Sequence, residues 1–248
     1  MSEFLGERGG RFVLGNVLVE GRRSVLHLAE PEAVLKLFKP GLEPGRKEWG
    51  LFGKLPVQDG LLLPFDWGEN WLALPFRSGG SLKGLLREGK VPVPGLLRSL
   101  LGILENLHAE GWVHRDLSPA NILLDAAEKP WLTDFGCALR LDTVPAVSRD
   151  GLGTPAYAPP EQLLGGPAFP QGDLYALGSI CYEGLTGLPP FETGFPERTA
   201  ARKVGGVPRP IRELAPEVPA PLAALVEDLL QADPRKRPPS AREVLDRL

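Results

Sequence analysis

Two short polar segments in the second half of the chain constrain its fold more than any other feature. The first reads HRDLSPAN over residues 114–121, and the second reads TDFG over residues 133–136. Short apolar runs accompany them and predict strands at Ile122–Leu124 and Trp131–Leu132. Each polar loop is therefore expected to lie beside a short apolar strand.

The residue types in these loops suit phosphoryl transfer. That reaction needs a carboxylate that orients the attacking hydroxyl, and Mg²⁺ ions that hold the phosphates and balance the charge that develops on them. Hard cations prefer oxygen ligands, which Asn121 and Asp134 can supply from two neighbouring loops. Asp116 is then the carboxylate that is left to face the substrate hydroxyl.

At these residues the chain resembles the eukaryotic-like (Hanks-type) protein kinase family. HRDLSPAN matches the family's HRDLxxxN loop, and the DFG triplet is intact. The resemblance implies that Asp116 is the catalytic base, that Asn121 and Asp134 bind the metal, and that ATP and Mg²⁺ are used. It also implies a bilobal α+β fold, with a small N-terminal β-sheet lobe that carries one helix and a larger, mainly helical C-terminal lobe.

Further segments extend the resemblance over nearly the whole chain. GTPAYAPPE at 153–161 is similar to the family's GTPxYxAPE segment, with a proline in the usual place of the alanine. DLYALG at 173–178 is similar to the DxxxLG helix, and DPRKRP at 233–238 is similar to the DPxxRP segment. In the family the glutamate of the first segment pairs with the arginine of the last. The resemblance therefore implies a structural Glu161–Arg237 ion pair.

The first part of the chain reads as a small sheet with one helix. Near-periodic Trp49, Phe52 and Leu55 predict a helix over Glu43–Leu55. Apolar-rich runs separated by turn residues predict strands at Phe12–Leu18, Ser24–Ala29, Ala33–Phe38, Leu61–Phe65 and Trp71–Phe76.

Beyond Gly79 the pattern becomes helical. Leucines at three- and four-residue spacings predict a helix over Leu96–Leu107 that Gly111 stops, and a second helix follows over 174–185. Ser240, with a glutamate three residues later, is typical of a helix N-terminus. We therefore divide the chain into an N-terminal lobe at 1–76, a hinge at 77–80 and a C-terminal lobe at 81–248.

Lys36 ends a segment, AVLK, that is similar to the family's VAIK strand. The resemblance implies that Lys36 binds the α- and β-phosphates and that its helical partner is Glu48. Glu43 is a competing partner, but it precedes Pro44, where the interior of a helix is disfavoured. Taken alone, Lys36 and Glu48 can equally be surface charges.

The phosphate-covering loop departs from the family. It usually reads GxGxxGxV, because glycine lets backbone amides approach phosphate closely. Here the stretch is GRRSVLHL at 21–28, with only Gly21 in register; either Arg23 and Leu26 take the later glycine places, or the loop is shorter. Arg22 and Arg23 can contribute charge to the phosphates or can simply be solvated. We therefore expect an atypical hold on the nucleotide phosphates.

The segment LALPFR at 72–77 is similar to the strand that leads to the family's adenine-binding hinge, with Leu74 as gatekeeper. Adenine is usually read there by one backbone carbonyl and by one N–H two residues later. Pro75 keeps its carbonyl and Arg77 keeps its N–H. The nucleotide-binding set that the resemblance implies is Gly21, Arg22, Arg23, Val25, Leu28, Val34, Lys36, Leu74, Pro75, Arg77, Asn121, Leu123 and Asp134.

Ser118 stands where serine/threonine kinases usually carry a lysine that contacts the transferred phosphate, so we expect slower chemistry. Tyrosine kinases also lack that lysine, but the segment around Thr154 is similar to the serine/threonine branch. The family role of Thr154 is a hydrogen bond near the catalytic aspartate. The catalytic set that the resemblance implies is Asp116, Lys36, Glu48, Ser118 and Thr154.

Arg115 precedes the catalytic aspartate, and in the family this arginine commonly pairs with a phosphate on the activation loop. Three residues before Gly153 the chain carries Asp150, which is already negative. Our hypothesis is that Asp150 stands in for the phosphate. It can equally be a solvated acid, and phosphorylation of Ser148 is the alternative switch.

Composition restricts the classes of partner. The chain has 248 residues, 43% of them hydrophobic, and its net charge of -3 gives no sign of a nucleic-acid or anionic membrane partner. Its longest apolar stretch, Leu96–Leu107, is interrupted by charges and is too short to span a bilayer. With two cysteines and no apolar leader, we expect a cytoplasmic protein with reduced thiols.

The expected activity is transfer of the γ-phosphate of Mg-ATP to Ser/Thr hydroxyls of a protein substrate. A pseudokinase or binding module is the alternative from another class: the altered Gly21 loop and Ser118 favour it, and the intact base and metal residues oppose it. A small-molecule kinase is a third reading, but those relatives usually lack the GTPxYxAPE segment. The sequence indicates neither the substrate nor the oligomeric state.

Overall fold

The computed structural model describes residues 3–5, 10–21, 24–30, 32–39, 50–89, 91–142, 154–191 and 196–248. The chain forms two compact units: the first comprises Met1–Val57 and Leu61–Ser78, and the second comprises Gln58–Gly60 and Gly79–Leu248. Within the described ranges, the helices are all too short or too polar to cross a bilayer.

The first unit is built on a six-stranded antiparallel sheet with the strand order β1-β2-β3-β4-β6-β5. Four of the five strands predicted in this region overlap strands of this sheet. The strands are β1 (Glu3–Leu5), β2 (Arg11–Glu20), β3 (Ser24–Glu30), β4 (Ala33–Phe38), β5 (Asp66–Gly68) and β6 (Trp71–Pro75).

One face of this sheet carries a small apolar core. Alternate residues of a strand point to the same face, and the core side chains follow this alternation. The ring of Phe12 meets that of Trp71 edge-on, at a centroid distance of 5.6 Å and an angle of 73°, which is a favourable aromatic geometry. The buried members of this core are Phe12, Ala29, Ala33, Leu35, Trp71 and Ala73.

The strand predicted at Leu61–Phe65 is wrong, since β5 begins only at Asp66. Pro64 has no N–H to donate to a sheet, which explains why regular pairing starts beyond it. The helix predicted over Glu43–Leu55 is tested only in part: residues 50–52 are helical, and 40–49 lie outside the described residues.

The second unit is mainly helical and includes two small antiparallel strand pairs, β7 with β10 and β8 with β9. The α+β class expected from the sequence is confirmed. The helices are α1 (Leu82–Glu88), α2 (Val93–Ala109), α3 (Pro160–Leu163), α4 (Pro170–Thr186), α5 (Pro196–Gly205), α6 (Ile211–Leu214), α7 (Ala220–Leu229) and α8 (Ala241–Asp246). The strands are β7 (Trp112–Val113), β8 (Ile122–Leu124), β9 (Pro130–Leu132) and β10 (Leu139–Arg140), with 3₁₀ turns at Pro119–Asn121, Phe135–Cys137 and Pro234–Lys236.

Both long helices that leucine spacing predicts are confirmed as α2 and α4. They end at glycines: Gly111 follows α2 with φ 77°, and Gly187 caps α4 with φ 73°. A left-handed residue at this place closes a helix, and glycine adopts it without strain. Helix α2 packs against α4 and α8, so its leucine stripe forms the centre of the unit. The fully buried leucines of this stripe are Leu97, Leu100, Leu101, Leu104 and Leu107.

The cap predicted at Ser240 is confirmed, because its Oγ accepts a hydrogen bond from the N–H of Glu243 at 3.2 Å. We expect Ser240→Ala to lower the free energy of unfolding by about 1 kcal/mol, because a helix donor loses its acceptor. Urea denaturation measures the change. Ser99→Ala is the matched control: Ser99 lies inside α2, is exposed and only back-bonds to Gly95, so stability should not fall. An equal loss in both variants would contradict the capping role.

Candidate active site

Asp116 lies in a loop whose backbone is fixed by a buried carboxylate. Asp173, in the first turn of α4, accepts hydrogen bonds from the N–H groups of His114 at 2.8 Å and of Arg115 at 2.9 Å. His108 Nε2 lies 2.9 Å from the same carboxylate. Arg115 has φ 66°, in the left-handed region that residues other than glycine rarely adopt. The two bonds to Asp173 therefore hold a conformation that local preference opposes.

Asp173 stays ionised although it is buried. Burial raises the pKa of Asp173, but the hydrogen bond and charge of His108, together with His114, outweigh burial and bring the pKa below its ordinary value. This carboxylate was not among the site residues predicted from the sequence. The sequence did contain one indication: Asp173 starts the DLYALG helix and directly precedes a run of mainly apolar residues.

The carboxylate of Asp116 is held at both oxygens. Thr154 donates to Oδ1 twice, from its N–H at 2.7 Å and from its Oγ1 at 2.9 Å. Asn121 Nδ2 donates to Oδ2 at 3.1 Å and to the Asp116 carbonyl at 2.9 Å. Burial raises the pKa of Asp116; the bonds from Thr154 lower it, and the nearby carboxylate of Asp134 raises it. A raised pKa brings this group closer to the range in which a general base works well.

The two polar loops contact each other directly. The ring of His114 packs on that of Phe135 at a centroid distance of 4.7 Å, and its Nε2 lies 3.1 Å from the carbonyl oxygen of Thr133. The N–H of Thr133 donates to the carbonyl of Asn121 at 3.0 Å. Asp134 follows with φ 63°, a second left-handed residue. Asn121, Asp116 and Asp134 are thereby brought to one place, as the sequence predicts.

The donor chemistry at this place fits Mg²⁺. Because Asn121 Nδ2 donates to Asp116, the amide turns its Oδ1 away from that carboxylate, and this oxygen is the atom suited to a hard cation. Asp134 supplies a carboxylate from the neighbouring loop, close enough to Asp116 to raise the pKa of that group. Within the described ranges, no group of three or more His, Cys, Asp or Glu side chains could hold a metal by itself. Mg²⁺ needs no such cage, since it is usually held by one or two carboxylates together with substrate phosphates.

Ser118 lies in the same loop but is buried, with only 1% of its surface exposed. Its Oγ has no hydrogen-bond partner within the described part of the chain. The side chain therefore points into the protein, and its predicted contact with the transferred phosphate stays a prediction.

We expect Ser118→Ala to raise the free energy of unfolding by about 1 kcal/mol, because an unsatisfied buried hydroxyl costs desolvation energy that a methyl group does not. Thermal and urea denaturation measure the change. A loss of stability instead would mean that the hydroxyl has a partner, and a fall in turnover at unchanged stability would support the predicted phosphate contact.

The ion pair that the sequence predicts between Glu161 and Arg237 is confirmed. The fully buried guanidinium of Arg237 donates to both oxygens of Glu161, at 2.7 and 2.8 Å. It also donates to the carbonyls of Gln171 and Gln231 and lies 4.7 Å from the ring centre of Tyr175. A pair satisfied this completely fixes α3, which directly follows the segment of Thr154.

Four of the residues assigned to nucleotide binding share one face of the sheet in the first unit. Leu28, Val34 and Leu74 are direct neighbours across β3, β4 and β6. Lys36 lies two residues after Val34 and so points to the same side. Its ammonium lies 5.1 Å from the ring centre of Phe38.

Val25 does not reach that face. It pairs with Leu37, whereas Leu26 pairs with Lys36, so Leu26 is the residue beside the lysine. The connection between β2 and β3 comprises residues 21–23: Glu20 pairs with Val25, and Gly21 N–H donates to the Ser24 carbonyl at 2.9 Å. A change of one residue in register moves every side chain to the opposite face of a strand, which explains the difference from the assignment made by resemblance.

The remaining assigned residues have separate places. Pro75 ends β6, and Arg77 lies two residues beyond it. Leu123 lies on β8 in the second unit and forms a bridge with Ser81. Several assigned positions lie outside the described residues, namely Arg22, Arg23, Glu48, Ser148, Asp150 and Gly153.

Comparison with known proteins gives a consistent result. Residues 68–247 match the model of the protein kinase domain family. The chain is 36% identical over 200 residues to the serine/threonine-protein kinase pkn2 of Myxococcus xanthus, which covers 74% of this chain and 24% of that protein. It is 33% identical over 244 residues to the DNA damage-responsive serine/threonine-protein kinase RqkA of Deinococcus radiodurans, covering 95% of this chain and 34% of that protein.

A third relative is the serine/threonine-protein kinase PkaA of Streptomyces coelicolor, 37% identical over 176 residues that make up 67% of this chain and 32% of that protein. The chain thus spans a quarter to a third of the length of these curated relatives.

Proposed function

Because the chain belongs to the eukaryotic-like serine/threonine protein kinase family, we propose that it transfers the γ-phosphate of Mg-ATP to serine or threonine hydroxyls of a protein substrate. The observation that carries the proposal is the Asp116 carboxylate, which is partly buried and is held by Thr154 and Asn121. Such a carboxylate is what the reaction needs to orient a hydroxyl.

Asp116 orients the acceptor hydroxyl and takes its proton. Oδ1 already accepts two hydrogen bonds from Thr154, while Oδ2 accepts one from Asn121. A carboxylate oxygen has two lone pairs, so Oδ2 keeps one for the incoming hydroxyl and is the atom that receives the proton. Thr154 and Asn121 fix the direction in which that lone pair points, which is the positional part of catalysis.

Asn121 and Asp134 would hold Mg²⁺ through oxygen atoms. When bound, the metal neutralises charge on the phosphates and thereby eases attack on the γ-phosphoryl group. The left-handed backbone at Asp134 and the packing of Phe135 against His114 aim the carboxylate at this place.

On the sheet of the first unit, Lys36 binds phosphate, and Leu28, Val34 and Leu74 form an apolar surface for the adenine. Their common face supports this role. Leu26 joins this set in place of Val25. Only Gly21 of the family's glycine pattern is present in this loop, so the affinity for ATP should be modest.

Serine and threonine are the acceptors, because the segment that begins at Thr154 is similar to the serine/threonine branch and because the relatives carry that name. We place the reaction in the cytoplasm. Both cysteines are free thiols, which suits a reducing compartment.

The test is transfer from radiolabelled ATP to dephosphorylated casein, followed by phosphoamino-acid analysis. We expect label on serine and threonine, loss of transfer when Mg²⁺ is chelated, and a silent Asp116→Asn control. Binding of ATP without transfer under any of these conditions would favour the binding-module alternative, and label on tyrosine would overturn the acceptor class.

A further inference from the structure

Lys203, in α5, is a fully buried lysine whose ammonium group contacts three backbone carbonyl oxygens. It donates to Pro155 at 2.8 Å, to Ala156 at 2.7 Å and to Ala158 at 2.8 Å. Three N–H groups thereby meet three acceptors. Within the described part of the chain, no carboxylate pairs with this ammonium. A buried charge is costly, so this ammonium is compensated only while the three carbonyl oxygens stay in place.

The three carbonyls belong to the turn that holds the catalytic carboxylate. The N–H groups of Tyr157 and Ala158 both donate to the carbonyl of Thr154 at 3.0 Å. Thr154, at the start of the turn, donates to Asp116 Oδ1 from its N–H and from its hydroxyl. Lys203 therefore binds the carbonyl oxygens of the turn, while Thr154 at the start of the turn donates to Asp116.

The same turn contacts α4 and continues into α3. The hydroxyl of Tyr157 donates to Glu183 at 2.7 Å, and α3 begins at Pro160. In the family that this chain belongs to, the segment shapes the side on which the acceptor peptide binds. A displacement of the turn would alter both the peptide surface and the hydrogen bonds to Asp116.

We propose that Lys203 is a positioning residue for phosphoryl transfer: its three hydrogen bonds set the conformation of residues 154–158, and through Thr154 they set the direction of the Asp116 carboxylate. This inference rests on the proposed kinase activity. Lys203 touches neither substrate nor metal, so it acts only through the turn.

The charge on Lys203 is part of this role. A neutral amine has two N–H donors for three carbonyls, and its lone pair would face an oxygen. Burial lowers the pKa of Lys203 to about 7, while the three carbonyl oxygens favour the charged form. The titratable group that it faces is Tyr175 of α4, whose ring centre lies 5.5 Å from the ammonium. Burial raises the pKa of Tyr175, so its phenol stays neutral. Arg237, on the same ring, is paired with Glu161.

Loss of the proton above neutral pH should therefore release one carbonyl and loosen the turn. The consequence is a KM for the acceptor protein that rises, and a kcat that falls, as the pH increases from 6.5 to 8.5. Without the ammonium, the KM should be high at both pH values and should not depend on pH in this way.

The experiment compares the wild type with Lys203→Met, Lys203→Gln and the matched control Arg202→Met, which removes an exposed positive charge from the same helix. Steady-state kinetics with casein give KM and kcat at pH 6.5 and 8.5. We expect Lys203→Met to raise the KM roughly tenfold or more, as for the loss of charge-assisted hydrogen bonds. Lys203→Gln, which keeps two donors, should fall in between, and Arg202→Met should match the wild type.

Hydrogen exchange of the amides of Tyr157 and Ala158 gives a readout that needs no activity. Protection factors, corrected for the intrinsic effect of pH, should fall in Lys203→Met and should fall in the wild type as the pH rises. Unchanged protection in a folded Lys203→Met would overturn the inference, as would an equal effect in Arg202→Met. If exchange responds as expected but casein is never phosphorylated, the proposed activity fails while the control of the turn by Lys203 stands.

Discussion

Asp116→Asn is expected to lower kcat for phosphoryl transfer by about 10²–10⁴-fold, which is the usual contribution of a positioned general base. Asparagine has nearly the same shape, so Thr154 can still donate to Oδ1. At the other oxygen, however, an NH₂ group would replace the atom that receives the proton. It would also face the amide nitrogen of Asn121, which donates there in the wild type. We therefore expect the variant to lose phosphoryl transfer while it keeps its fold and its nucleotide-binding surface.

Single-turnover transfer at saturating ATP measures this effect without interference from product release. The affinity for ATP, measured by calorimetry on the same variant, should change by no more than about twofold, because uniform binding is not affected by loss of the base. Asp142→Asn is the control, since Asp142 is an exposed acid paired with Arg140. A fall of less than tenfold in Asp116→Asn would contradict the role assigned to Asp116.

Contiguous motifs in the sequence predicted which side chains the two loops bring together, because each loop carries its polar side chains within a few residues. HRDLSPAN contains both Asp116 and Asn121, and the structure adds only the bonds that hold them. Strand β4 was predicted to the residue, Ala33–Phe38, since a short apolar run bounded by turn residues leaves little freedom. The pair Glu161–Arg237 could be expected from resemblance, although 76 residues separate its members.

What the sequence could not predict depends on contacts between distant segments and on register. Asp173 and Lys203 bind backbone atoms, and any residue type can supply such atoms, so the sequence does not identify their partners. Lys203 follows another basic residue, Arg202, and only burial distinguishes them. Val25 and Leu26 are both apolar, so the face each occupies depends on the length of the connection after Gly21, which glycine spacing alone did not fix.

Asp173→Asn is expected to lower the free energy of unfolding at pH 7 by about 3–5 kcal/mol, the cost of breaking a buried and fully paired charge. The carboxylate accepts from the N–H groups of His114 and Arg115 and from His108. An amide replaces one acceptor oxygen with a donor, so an N–H would face an N–H. Arg115, left without its restraint, would relax from the left-handed region, and the kcat of the folded fraction would fall together with stability.

The pKa of Asp173 determines how the stability of the protein should change with pH. The pKa of Asp173 in the folded protein lies below the ordinary value of 3.8, so in the unfolded chain the group binds its proton at a higher pH. Its contribution to stability is therefore complete well above pH 3.8 and is lost as the pH falls through the folded-state value. Urea unfolding between neutral and acidic pH should show this loss in the wild type and a smaller slope in Asp173→Asn.

The control for this variant is Asp59→Asn, which removes an exposed carboxylate paired with Lys129 and should change stability by less than about 1 kcal/mol. Since both variants remove one negative charge, the difference between them isolates the buried contacts of Asp173. If Asp173→Asn were as stable as the control yet inactive, Asp173 would serve catalysis without holding the fold. If it were both stable and active, the backbone of Asp116 would be fixed by the contacts of His114 with Thr133 and Phe135 instead.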